Sequence, residues 1–286
     1  MKFSASAKRA WIALYSVVAI VLFAWLLFPS DLIKQAIAKK IDSLAPGIET
    51  KIGALRSIFP PGVGLENIRI YHNGYERVHF DDLSVTPDIL SAMGRRPEAS
   101  FTGKLYDGQM AGDIQLEKGG RGVGIVFNSH FSEIDSKKHP AFQKILDDFS
   151  LSPLTGTLSY QTENDGRSGI GRLDIDSLSI TLSKAILGFY GFAFDHIKVE
   201  ALAKRNRVVI KKCSMTGPQA DIEISGTMAR GRSINQTRLN LTGVLTIKKS
   251  TENGALGDWL SQLFSGPNGA SFKVRGSLSK PIFSLR

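Results

Sequence analysis

The sequence predicts a mainly β protein: one N-terminal transmembrane helix, then a strongly curved, mostly antiparallel sheet, forming a groove or a two-sheet sandwich, with a few short helices. Three observations carry that expectation. Residues 11–28 (WIALYSVVAIVLFAWLLF) form an unbroken apolar run behind Lys2, Lys8 and Arg9. From Leu65 onward the hydropathic period changes from helical to two. Two short patterns then recur through the rest of the chain.

The anchor comes first. A helix of that length covers roughly 27 Å, enough for the hydrocarbon core of a bilayer. A cleaved signal peptide has a shorter apolar stretch and ends in a small-x-small site. Here the run ends Trp25-Leu26-Leu27-Phe28-Pro29, without such a site. An uncleaved single span is expected, with Trp11, Leu14, Val18, Ile20, Leu22, Trp25 and Phe28 in lipid. The cationic flank, 1–10, stays in the cytoplasm by the positive-inside rule, so the rest of the chain lies across the membrane.

An amphipathic helix is expected over 29–46. Ser30-Asp31 can cap it, Leu32, Ile33, Ala36, Ile37, Ile41 and Leu44 share one face, and Pro46-Gly47 ends it. It either lies on the bilayer or plugs the first end of the domain that follows, 47–286.

Composition narrows the chemistry. Cys213 is the single cysteine, so no internal disulfide forms. In Val208-Val209-Ile210-Lys211-Lys212-Cys213 it reads as a small buried apolar residue. The net charge is +10. Cations are dense at Lys204, Arg205, Arg207, Lys211 and Lys212, a candidate surface for an acidic partner or for anionic lipid headgroups. A solvated basic face would look the same. Nucleic acid is not an expected partner outside the cytoplasm.

Alternation marks the strands. It is clear at 68–71, 83–85, 110–116, 123–127, 173–175, 178–182, 197–199, 222–224, 239–241, 244–247 and 272–274. Polar residues hold the opposite parity in most windows, as expected of a sheet with one apolar and one wet face. Asn73-Gly74, Lys118-Gly119-Gly120, Asn164-Asp165-Gly166 and Gly217-Pro218 punctuate them. Helices are expected only at 87–93, 140–151 and 255–264, with 183–189 ambiguous. Inward apolar positions on this reading include Leu105, Ile114, Leu116, Ile125, Phe127, Ile222, Ile224, Leu239 and Leu241, either lining a groove or filling a closed core.

The first repeated pattern is Leu65-Glu66-Asn67-Ile68, Phe80-Asp81-Asp82-Leu83, Ile175-Asp176-Ser177-Leu178 and Phe194-Asp195-His196-Ile197. Its apolar residues are three apart, which breaks strand parity, so a turn or bulge must re-aim the chain. Its acidic residue can bond backbone N–H groups in that turn. The second is a strand glycine before x-Leu or x-Met, at Gly103, Gly156, Gly226, Gly243 and Gly276. Such a glycine marks a sharp bend or a close backbone approach. Five bends would suit a strongly curved sheet.

Motifs for catalysis are missing. His72, His79, His130, His139 and His196 have no metal-ligand spacing between them. The chain has no nucleophile elbow and no P-loop. The glycine-rich 119–124 reads as a hairpin turn. No catalytic, cofactor-binding or metal residue is assigned, and no enzyme activity is expected.

Four stretches carry a resemblance: 61–68 (PGVGLENI), 80–87 (FDDLSVTP), 101–108 (FTGKLYDG) and 275–281 (RGSLSKP). Behind a single anchor, they make the chain look like the type II secretion system protein N family, in the form that has this chain's length. More loosely it resembles the wider AsmA-like superfamily of envelope proteins. The first resemblance implies a bacterial inner-membrane protein with a periplasmic β domain that supports export of folded proteins across the outer membrane, with other secretion subunits as partners. The second implies an apolar β groove that holds or passes phospholipid acyl chains. Neither brings catalytic residues or a cofactor.

Overall fold

The computed structural model describes residues 15–16, 30–43, 47–58, 62–92, 94, 96–119, 122–143, 149–162, 168–186, 189–204, 206–229, 231, 236–248 and 269–285. The expected anchor lies outside them except for Tyr15 and Ser16, which are helical. Among the described residues no helix is long and apolar enough to cross a membrane. The helix expected at 255–264 also lies outside them.

Helix α1 (Ser30–Asp42) opens the described fold, followed by β1 (Ile48–Ile58), β2 (Gly62–His72), β3 (Tyr75–Pro87), the one-turn α2 (Ile89–Ala92), β4 (Glu98–Leu105), β5 (Gly108–Gly119) and β6 (Gly122–Ile134). A 3-10 turn (Ser136–Lys138) and the one-turn α3 (Pro140–Gln143) lead into β7 (Phe149–Leu151), β8 (Leu154–Thr162), β9 (Gly169–Ile175), β10 (Leu178–Ile186), β11 (Phe189–Phe194) and β12 (His196–Lys204). The chain closes with β13 (Arg207–Thr216), β14 (Ala220–Ala229), β15 (Arg238–Ile247), β16 (Ala270–Ser277) and β17 (Lys280–Leu285).

Fourteen strands form one open antiparallel sheet, in the order β1-β2-β3-β4-β5-β6-β8-β9-β12-β13-β14-β15-β16-β17. Apart from two excursions it is a meander, each strand pairing with the one before it. The excursions, β7 and then β10–β11, make a second sheet in the order β11-β10-β7.

The three-residue offset explains how the chain changes sheets. At 175–178, β9 ends on Ile175 and the chain leaves the large sheet, starting β10 at Leu178. At 194–197 it returns, leaving β11 at Phe194 and entering β12. Parity is broken because the two apolar residues belong to facing sheets and both point into the space between. Ile175, Leu178, Phe194 and Ile197, with Phe131, are the fully buried residues of the main core. The bond seen at each corner is made by the aspartate's own backbone: Asp176 N–H donates to the Thr155 carbonyl (3.0 Å) and Asp195 N–H to that of Thr216 (2.7 Å). This replaces the side-chain capping expected from the pattern.

In β2 and β3 the same offset is absorbed within the strand. Asn67 sits at φ 51°, which turns Leu65 and Ile68 to one side. Its partners match, with Leu65 opposite Leu83 and Ile68 opposite Phe80. A second cluster forms there from Ile52, Leu65 and Ile68, against which Ile37 and Ala38 of α1 pack. The Lys34 ammonium donates to the Gly53 carbonyl at 2.7 Å, tying the helix to β1. So α1 sits on the first end of the sheet, while Leu32, 69% exposed, faces away from it.

Three expectations need correction. The sheet is large and open but not strongly curled. Its glycines serve close approach more than bending: a β-carbon at Gly103 would sit 3.1 Å from the Asp82 carbonyl oxygen, and one at Gly156 would collide with that of Asp174. One at Gly243 would meet the Phe272 ring and the Glu223 carbonyl. Only Gly226 and Gly276 of the five have positive φ, at 139° and 98°. Of the helix expected at 140–151, residues 140–143 are helical and 144–148 lie outside the described residues, but 149–151 is a strand because it pairs with Thr181 and its neighbours on β10. The ambiguous 183–189 is strand at both ends, since Ile186 pairs with Phe189. The sheet starts at Ile48, within the 47–286 expected for the β domain.

The corner residues should dominate stability. Phe194→Ala, at a site 4% exposed, is expected to cost about 3–5 kcal/mol in urea unfolding. Leu90→Ala, at a site 82% exposed, should stay within about 0.5 kcal/mol.

Candidate functional site

Residues paired across antiparallel strands project to the same face, so the register defines what each face carries. One row runs Leu55, Leu65, Leu83, Gly103, Met110, Phe131, Gly156, Ile175, Ile197, Met215, Ile222, Leu245 and Ala270, each paired with the next. It crosses thirteen strands without a polar side chain.

Three parallel rows lie on the same face. The second passes through Val85, Phe101, Leu158, Leu173, Val199, Cys213, Ile224 and Phe272. The third includes Ile114, Phe127, Tyr160, Ala201, Ile210, Leu241 and Val274. The fourth pairs Leu116 with Ile125 and continues through Val208, Met228 and Leu239. A bulge on β13 between Ile210 and Cys213 keeps both on this side.

All nine candidate groove positions fall on this face. Leu239 is buried, Leu116 is 37% exposed, and Leu105, Ile114, Ile125, Phe127, Ile222, Ile224 and Leu241 are half-buried. Phe127 stacks on Phe101, ring centroids 5.4 Å apart.

The second sheet covers only the middle of the face. Leu178, Ile180, Phe192 and Phe194 pack there on Phe131, Ile175, Ile197, Met215 and Ile222. Where that cover ends, toward β14 and β15, a cavity of about 210 Å³ remains between the sheets, lined by Phe192, Phe194, Met215, Ile222, Leu245 and Ile247 among others. Gln219, which also lines it, accepts from the Ala193 N–H (3.1 Å). Sequence reading allowed a second packed sheet as its alternative but did not locate this cover, although the three-residue offsets at 175–178 and 194–197 mark where it attaches.

Ion pairs decorate the opposite face, including Lys198–Asp174 (3.5 Å), Lys211–Glu200 (3.0 Å) and Lys212–Glu223 (3.7 Å). These bear on the candidate basic surface. Lys211 and Lys212 have carboxylate partners, and Lys211 holds the Glu200 carboxyl below its usual range. Lys204 lies opposite Arg207 at the β12–β13 hairpin. Arg205 is outside the described residues. The four described cations are thus divided between a paired set on the strands, Lys211 and Lys212, and the Lys204–Arg207 pair of positions at a hairpin. Among the described residues no group of His, Cys, Asp and Glu could hold a metal ion.

Cys213 sits within the apolar face, 6% exposed, and burial pushes its thiol up. Native Cys213 is expected to react with a thiol reagent at least about a hundredfold slower than in the urea-unfolded chain. The sign of its pH dependence follows. The unfolded thiol ionises first, so stability contributed by the buried neutral thiol is present below the ordinary thiol pKa and lost as pH rises above it. The stability difference between the native chain and Cys213→Ala should therefore shift against the native chain as pH is raised, measured by urea midpoints at neutral and alkaline pH.

No protein-family model matches the chain, nor does any curated protein or any solved structure. The resemblance to the type II secretion protein N family rests on the short motifs quoted above.

Proposed function

We propose that this protein is a non-enzymatic component of a type II protein secretion system. In this reading residues 11–28 anchor it in the bacterial inner membrane, its sheet lies in the periplasm, and it supports export of folded proteins across the outer membrane. The observation that carries the reading is where the resembling stretches fall. Residues 62–68 open β2 and include Asn67 with its positive φ, 80–87 fall in β3, and 101–108 make the β4–β5 hairpin. Residues 275–281 make the β16–β17 hairpin. They therefore fall toward both ends of one open sheet, whose β17 edge pairs with no further described strand and is available to a subunit of a larger machine.

A second reading is favoured by a different observation, the four apolar rows and the cavity beside them. An AsmA-like protein would use that face to hold or pass phospholipid acyl chains for outer-membrane biogenesis. Fourteen strands at the usual spacing give a sheet about 60–65 Å wide. On this reading such a sheet holds or hands over lipid instead of bridging two membranes alone.

Deleting the gene separates the two. The secretion reading expects a normally exported protein to accumulate in the periplasm behind an intact outer membrane. Normal export together with a leaky outer membrane would overturn it in favour of the lipid reading.

A further inference from the structure

The two margins of the large sheet are built differently. At the first, α1 packs beside β1 through Ile37 and Ala38, and Lys34 caps the Gly53 carbonyl. At the other, β17 pairs with β16 alone among the described strands. Its side chains are large, apolar and open: Ile282 is 67% exposed and Phe283 69%. Sheet edges are templates for another strand; Lys280 and Pro281 blunt the start of this one, while Ile282 and Phe283 leave the rest open.

Pro281 shows which backbone groups face outward. Proline has no N–H to give a ladder, so it is tolerated where that group would point away from the neighbouring strand. Alternation then directs the N–H and C=O of Phe283 outward as well. The side chains divide by parity. Pro281 and Phe283 pair with Gly276 and Val274 on the apolar face, while Lys280 and Ile282 pair with Ser277 and Arg275 on the polar one.

Charge identifies the occupant. Strands β15, β16 and β17 contain Arg238, Lys273, Arg275 and Lys280 and no carboxylate. We propose that the β17 edge is a docking site for an extended segment of a partner protein that adds a strand to the sheet, with apolar residues beside Phe283 and acidic residues beside Lys280. A second copy of the chain is the poorer occupant, because pairing β17 with itself would bring Arg275 and Lys280 of two copies together with no Asp or Glu on β16 or β17 of either. A membrane surface would use the same cations but not the outward N–H of Phe283. The proposal deepens the secretion reading by giving the partner a chemistry. Its test reads binding and not export, so it can fail while that reading stands.

The probe is a fluorescent, end-blocked heptapeptide alternating glutamate and valine, titrated by anisotropy against the full chain in detergent micelles. The matching lysine–valine peptide is the control. Binding of the acidic peptide alone is expected. Phe283→Pro removes the outward donor without touching a ladder bond and should weaken binding at least about tenfold, with an unchanged unfolding midpoint. Lys280→Glu should reverse the preference between the two peptides. Equal binding of both peptides, or full affinity in Phe283→Pro, overturns the proposal. So does binding only to phosphatidylglycerol vesicles, or a dimer by light scattering that Phe283→Pro dissolves.

Discussion

Thirteen strands place an apolar residue or a glycine at one level of the large sheet, from Leu55 to Ala270. A slip of one residue at any of them would turn that strand's whole apolar set into water. The register therefore cannot drift, and the local irregularities serve to keep it. Asn67 takes a left-handed φ of 51° so that Leu65 and Ile68 stay on one side. The bulge on β13 does the same for Ile210 and Cys213. Gly156 and Gly243 let neighbouring backbone or the Phe272 ring approach where a β-carbon would collide.

A single layer with one apolar face is unstable in water unless something covers it. The chain solves this in the middle by stepping off the sheet at Ile175 and back on at Ile197, so that β10 and β11 lie over the row they interrupt. Both corners use the same pattern, an apolar residue, an aspartate and a second apolar residue three positions on. Burying each of those large apolar side chains contributes about 1.5–3 kcal/mol. The same arrangement leaves a cavity at the margin of the cover, lined by residues of both sheets. Stability and the candidate apolar site thus come from one arrangement.

The large sheet was legible because alternation is a local signal: parity alone chose Ile114, Phe127, Ile222 and Leu241, and the register puts them on one face. The second sheet was not, since β10 alternates like any strand of the first and nothing local says which sheet it joins. Its corners carried the one available sign, the broken parity at 175–178 and 194–197. The last turn of the helix expected at 140–151 failed for a related reason. Phe142, Ile145, Leu146 and Phe149 have helical spacing, but pairing of 149–151 with β10 is a tertiary bond that local spacing cannot report. Curvature was over-read because a strand glycine has two causes, and close approach accounts for Gly103, Gly156 and Gly243. Paired cations such as Lys211 and Lys212 were equally opaque, their acids lying on neighbouring strands.

The two-faced sheet is tested most directly by cysteine accessibility along β14. In a Cys213→Ala background, single cysteines at Ile222, Glu223, Ile224 and Ser225 would be labelled in the full chain under native conditions. Residues 223 and 225 are exposed while 222 and 224 are half-buried on the apolar side. Fast labelling at 223 and 225 with slow labelling at 222 and 224 is the expected result. Equal rates at all four positions, or the opposite alternation, would contradict a register that places Ile222 and Ile224 on the apolar face.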